Sequence, residues 1–349
     1  MFSERLKLAR KRSALSLRAL SSEMDNIVSS QEIGKYERAE MMPSSTVVIA
    51  LADALDVTPS YLLSPSSISL ESVAFRKLAS ARVRERAAVE AEVLEQVDRY
   101  LQIEEILGVD TAGQDMPDGS PYRVSDMEDV ERAATSLRAT WSLGSVPIQN
   151  LTELLEEHGI KVFKLDLPER VDGLSCRVHR LDGADVPVIV CSTGKSVESQ
   201  RFTIAHELGH LVLDIPSTIS EEKACHRFAG AFLAPRGELI RKVGRRRHNF
   251  GFVEIIDIKR MFGVSAAALV MRMRYLGVIK EATLQAIFRG IGSSWSTEEP
   301  HPLNREEFQK RFRRLCLRAL ADNEISDSKA SELLRLPVSD IDEFMIGAD

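Results

Sequence analysis

Residues 206–210 read His-Glu-Leu-Gly-His. Positions four apart on an α-helix share a face, so a helix here brings both imidazoles to one side, where they can chelate one metal ion. Glu207 falls a step further round. Its carboxylate can reach a water acidified by that metal and act as general base. Two histidines do not complete such a site, which takes a third protein ligand and keeps one position open. The stretch SEEKACHRFAGAFLAP, residues 220–235, supplies candidates. Glu222 is the favoured third ligand, with Glu221 and His226 as alternatives. His226 lies four residues past Glu222, on the same face, where it could hydrogen-bond a ligand or hold the glutamate.

These side chains need a scaffold. Ala205, Leu208, Leu211, Val212 and Leu213 give the His206 helix an apolar surface to bury. Upstream, 125–144 reads as an amphipathic helix opened by Ser125, and PIQNLTELLEEHGI as another ending at Gly159. IKVFKLD (160–166) and VPVIVCS (186–192) read as strands. Downstream come a helix up to Pro235 and a helix–turn–helix pair hinged at Gly263. Helices flanking two strands define an α+β domain over 125–290. The remaining segment, 291–349, is a helical extension. The basic run RKVGRRRH, 241–248, reads as a solvated loop.

The first 65 residues carry a different chemistry. Their apolar spacing gives about five short helices, with Ser16 and Ser29 placed as N-caps. In VSSQEIGKYERAE, Val28 and Ile33 point inward, while Ser30, Gln31, Glu32 and Lys35 point outward, suited to base edges or phosphates in a major groove. Arg5, Lys7, Arg10, Lys11, Arg12 and Arg18 form a cationic cluster for backbone phosphates. Over 1–65 eight cations meet eight acids, so the domain is polarised rather than basic. A helical linker and loop, 66–124, follows. Its helical stretch 70–108 has an apolar stripe of Leu78, Val89, Val93, Val97 and Leu101, expected to pack on a neighbouring domain.

At 349 residues the chain is long enough for two or three domains. The 44% hydrophobic content suits a real core, and the net charge of −6 confines nucleic-acid binding to a local surface. Four cysteines without a C-x-x-C pair, an N-terminus without an apolar signal core and the lack of any membrane-length apolar run point to a cytoplasmic protein with free thiols and no membrane partner.

LSSEMDNIVSSQEIGKYERAEMMPSSTVVIALADALDVTPSYLL closely resembles the helix-turn-helix of the XRE, or phage Cro/C1 repressor-like, family. The resemblance implies an all-α domain, a recognition helix over 29–38 and DNA contacts from Ser29, Ser30, Gln31, Glu32, Lys35, Arg38 and Arg18. It also implies a double-stranded operator read by a homodimer. The chain departs from the family at Asp25-Asn26, in a longer turn, and at Leu17, where a phosphate-contacting Gln is frequent. RFTIAHELGHLVL, EKACHRFAGAFLAP and FGVSAAALVMRMRYLGVI resemble the ImmA/IrrE metallo-endopeptidases. That resemblance covers about 126–280. It implies a gluzincin-like zinc peptidase with His206, His210 and Glu222 as ligands, Glu207 as catalytic base and VPVIV as the edge strand that pairs with an extended substrate. Its expected protein substrate is a helix-turn-helix repressor, cut in a stress or mobile-element response. Cys225-His226 departs from the family pattern and bears on the His226 role. An alternative is a repressor or antitoxin whose peptidase-like domain is a sensor or dimerisation platform with little proteolysis.

Overall fold

The computed structural model describes residues 2–63, 82–109, 117, 119–180, 184–295, 297–304, 307 and 310–346. In chain order the elements are α1 (Phe2–Arg12), α2 (Leu17–Glu23), α3 (Ser30–Glu37), α4 (Ser45–Leu55), α5 (Pro59–Leu63), α6 (Val83–Ile106), β1 (Tyr122–Arg123), α7 (Met127–Thr140) and α8 (Leu151–Glu157). They continue as β2 (Lys161–Leu165), β3 (Gly173–Val178), β4 (Val186–Ser192), α9 (Val197–Val212), β5 (Leu213–Asp214), α10 (Glu221–Leu233), α11 (Arg236–Val243), α12 (Phe252–Phe262) and α13 (Ala266–Tyr275). Helices α14 (Glu281–Arg289), α15 (Lys310–Ala321), α16 (Asp327–Leu334) and α17 (Val338–Ile346) complete the chain. No helix among the described residues is long and apolar enough to cross a membrane. The chain divides into two compact units, Met1–Gly113 with Arg177–Val186 and Gln309–Asp349, and Gln114–Cys176 with Pro187–Phe308.

In the first unit α1–α5 close around Leu6, Leu20, Ile33, Leu51 and Leu62, all with essentially no exposure. Caps start the helices where the sequence places them. Ser16 Oγ accepts from the Ala19 amide and Ser29 Oγ from the Glu32 amide. The long turn before α3 puts Asp25 (φ 52°) and Asn26 (φ 57°) in the left-handed region, which Asn and Asp tolerate better than other side chains. Helix α6 packs along α1, and Val89, Val93, Val97 and Leu101 of its expected stripe are buried; Leu78 lies outside the described residues. The far end of α6 supplies Ile103 to a separate core with Cys316, Ala319, Ala330 and Leu333 of α15 and α16.

In the second unit α7, α9, α10 and α13 pack about one core with Phe228, Phe232, Leu208 and Leu269 fully buried. Helix α7 is capped by Asp126, whose carboxylate accepts from the Glu128 and Asp129 amides, rather than by Ser125. The three-stranded sheet has the order β2-β4-β3, with β2 and β4 parallel. VPVIV is therefore the middle of the sheet and not its edge, which corrects the expectation above. Its unbroken apolar run is the mark of a strand covered on both faces: six of the seven residues of β4 are buried. The strand at the edge beside α9 is β3, where Leu174, Cys176 and Val178 face in and Ser175 and Arg177 face out.

Candidate metal centre and nucleic-acid interface

Helix α9 starts at its cap Ser196 and carries His206, Glu207 and His210 in its second half. Helix α10 starts at its cap Ser220, so Glu221 and Glu222 lie in its first turn. The two helices cross at Gly209. A Cβ there would stand 3.3 Å from Cys225 Cα, so only a glycine lets the backbones come this close. That close approach aims the start of α10 at the two histidines.

His206 Nε2 and His210 Nε2 lie 3.2 Å apart. Glu222 Oε2 is 3.2 Å from His206 Nε2, and Glu222 Oε1 is 3.6 Å from His210 Nε2. One ligand atom from each of the three residues falls within 4.8 Å of the others. His210 Nδ1 is 2.9 Å from Glu221 Oε1. An ionised carboxylate only accepts, so Nδ1 carries the proton and Nε2 presents its lone pair to the cluster. Tetrahedral bonds of ~2.0–2.1 Å place ligand atoms about 3.3 Å apart. The observed separations match that edge length, and a set of two imidazole nitrogens and a carboxylate suits zinc or a similar borderline metal.

Glu207 is 1% exposed, and Ser175 Oγ of β3 donates to its Oε2 at 3.0 Å. Gly173, at the start of the same strand, allows the close approach: a Cβ there would clash with Thr203 Cγ2 and stand 3.0 Å from the Val190 carbonyl oxygen. The His226 ring stands 4.5 Å from the His206 ring at an interplanar angle of 61°. His226 thus packs against a histidine of the cluster, while the hydrogen bond to His210 belongs to Glu221, named in the sequence only as an alternative ligand. The sequence reading also missed Ser175, although the inward–outward alternation of 173–178 could have marked a strand.

Buried ion pairs fix α9 from behind. Lys259 Nζ bonds Glu198 at 2.6 Å and Glu299 at 2.7 Å, with Lys259 and Glu198 fully buried. Arg201 pairs with Glu307 and donates to the Gly263 carbonyl at 2.8 Å. In α7, Glu131 bridges Arg272 and Arg227. Burial pushes its carboxyl up, but the two arginines outweigh burial and hold it below the ordinary value.

In the first unit Gln31, Lys35 and Arg18 are exposed and Ser30 is half-buried. Ser29 and Glu32 hold each other in a capping box, in which Glu32 accepts from the Ser29 amide at 2.8 Å. That amide, then the Ser29 hydroxyl, keep the Glu32 carboxyl below its usual value. Arg38 pairs with Glu40 at 2.6 Å on the surface. The six-cation cluster does not form as expected. Arg5 is buried against Asp98 at 2.8 Å, Arg12 pairs with Glu95 at 2.6 Å, and Arg10 pairs with Glu37 at 2.5 Å. Two of these acids come from α6, outside residues 1–65.

A five-helix unit whose capped helix α3 leaves Gln31 and Lys35 exposed, in one chain with a domain that carries an H-E-x-x-H helix and a converging glutamate, points to a helix-turn-helix protein with a metallohydrolase-type site. Residues 6–62 match a family model described as helix-turn-helix, and residues 155–274 match a peptidase family model described as the IrrE N-terminal-like domain. The chain is a fusion of an XRE-type helix-turn-helix domain with an ImmA/IrrE-like metallopeptidase domain. The peptidase match spans His206, Glu207, His210 and Glu222, and a metallopeptidase family implies a metal. No curated protein matches the chain, and no solved structure does.

Proposed function

We propose that this protein is a DNA-binding transcriptional regulator whose second domain is a zinc-dependent endopeptidase, cleaving a repressor-type protein in a stress or mobile-element response. The observation that carries the reading is the convergence of His206 Nε2, His210 Nε2 and the Glu222 carboxylate within 4.8 Å, next to a buried Glu207. In this reading His206, His210 and Glu222 hold the zinc, which when bound supplies a Lewis acid for the scissile carbonyl and raises the acidity of water. Glu207 accepts the proton of the attacking water and returns it to the leaving amine nitrogen. Ser175 orients the Glu207 carboxylate, and Glu221 orients His210. An extended substrate backbone adds to the sheet at β3, alongside Glu207. The helix-turn-helix domain reads a paired operator as a homodimer, with Gln31, Lys35, Ser30 and Arg18 turned to the DNA.

Glu207→Gln tests this. The variant is expected to keep its metal and its DNA affinity and to lose turnover of a repressor-type substrate by roughly 100-fold or more. Full regulatory function in Glu207→Gln, or metal-loaded wild type that cleaves no such protein, refutes proteolysis and leaves the second domain a sensor or dimerisation platform.

A further inference from the structure

The first unit contains a cavity of about 710 Å³ that neither the metal centre nor the DNA-reading helix uses. Its walls come from the end of α4 and the start of α5, from α6, and from the turn after α16. That volume is in the range of small-molecule sites. Ala52, Val57, Tyr61 and Leu336 give it apolar walls, and Arg12, Arg99, Arg335 and Glu95 give it a charged floor.

The charges on that floor do not balance. Arg12 and Arg335 both bond Glu95, and Arg335 also bonds Glu92 at 2.8 Å. Arg99 donates to one neutral group, the Leu333 carbonyl, at 2.7 Å. It pairs with no carboxylate among the described residues, and its buried Nε has no hydrogen-bond partner. Three guanidinium groups therefore share two carboxylates. Burial first, then the neighbouring Arg335, push the Arg99 pKa down to about 10. A guanidinium with five donors and one bond, held in a recess, is costly to the protein unless an anion completes it. The rim carries Asp53 and Asp56, both exposed, and Glu332, which accepts from Lys329, Thr58 and Ser60. Those acids repel a ligand charged at both ends with negative groups. A single anionic head at the floor with a neutral or cationic body at the rim satisfies both.

We infer that this cavity is a binding site for a small monocarboxylate, whose head is held by the Arg99 fork and whose body rests against Ala52, Val57 and Tyr61. Such a ligand would touch the DNA-binding helices, α6 and the C-terminal helices at once, and so tie the three together.

The test is thermal melting of the full-length protein with acetate, benzoate and phenylalanine as probes, inorganic phosphate as the comparison, and Arg99→Met beside the wild type. A bound probe at about 100 times its Kd is expected to raise the wild-type melting temperature by on the order of 5 °C. Arg99→Met should melt at or above the wild-type temperature without ligand, since it removes an unbalanced charge, and should show no shift with any probe. Three results overturn the inference: no carboxylate shifts the wild type, only phosphate does, or the shift persists in Arg99→Met. A marked fall in the ligand-free melting temperature of Arg99→Met also overturns it, because Arg99 would then be a structural residue.

Discussion

Gly209→Ala adds one methyl group at the crossing of α9 and α10. Its Cβ would stand 3.3 Å from each of Cys225 Cα, Cys225 Cβ and Phe228 Cδ1. Carbon atoms rest at about 3.5–4.0 Å, so α10 must retreat by a few tenths of an ångström. Two effects on stability oppose each other. Alanine is favoured over glycine within a helix by about 0.8–1.0 kcal/mol, and overpacking of a filled core costs about 1–3 kcal/mol. The net loss is roughly 0–2 kcal/mol, which leaves the protein folded. The metal centre is more sensitive. Glu222 rides on the first turn of α10, and a retreat of roughly 0.4 Å would stretch its 3.2 Å and 3.6 Å separations from the histidines to about 3.6 Å and 4.0 Å. The longer of the two then lies well beyond the tetrahedral edge of about 3.3 Å. Zinc affinity, measured by competition with a chromophoric chelator, is expected to fall about tenfold or more while the melting temperature moves little. Wild-type zinc affinity in a folded Gly209→Ala protein would refute the idea that this helix crossing positions the third ligand.

Three further outcomes are expected. Lys259→Met leaves Glu198 charged in a fully buried site and should cost about 3–5 kcal/mol in denaturant unfolding, most of it recovered in the Lys259→Met, Glu198→Gln double variant; equal losses in the single and double variants would contradict this. Glu131 has a folded-state pKa below its ordinary value of 4.5, so its stabilisation is present above that value and lost as the pH falls through the folded pKa. Glu131→Gln should therefore be less stable at neutral pH and show a flatter acid limb, and an unchanged limb in acid titration would count against the arginine bridge. Ser29→Ala removes the cap of α3 and should lower stability by about 1 kcal/mol, read by thermal melting, with no loss of zinc.

Local chemistry was legible in the sequence, and distant partners were not. The His206–His210 spacing, the Ser16 and Ser29 caps and the strands at 160–166 and 186–192 all rest on patterns within a few residues, and the described elements follow them. The rank of a strand within its sheet is not such a pattern. VPVIV reads as a strand from its residues, but its central position depends on β2 and β3 flanking it. The same limit applies to charge. Arg5 and Arg12 look like phosphate contacts until Asp98 and Glu95, more than eighty residues away, arrive on α6. Glu221 and Ser175 join the site through orientation, by hydrogen bonds to His210 and Glu207 that spacing along the chain does not encode.

Arg5 and Arg12 also change what an excised DNA-binding domain would measure. In the intact chain Asp98 and Glu95 of α6 hold two guanidinium groups that, on the proposed DNA-binding reading, would compete for phosphates. Separating α1–α5 from α6 removes those carboxylates and leaves Arg5 with the Tyr61 ring and Arg12 with the Leu55 carbonyl as partners within the fragment. Each additional phosphate contact steepens the logarithmic salt dependence by about 0.9, so the fragment would gain up to roughly 1.8 in slope. It would bind nucleic acid more tightly and with less regard to sequence than the protein from which it was cut.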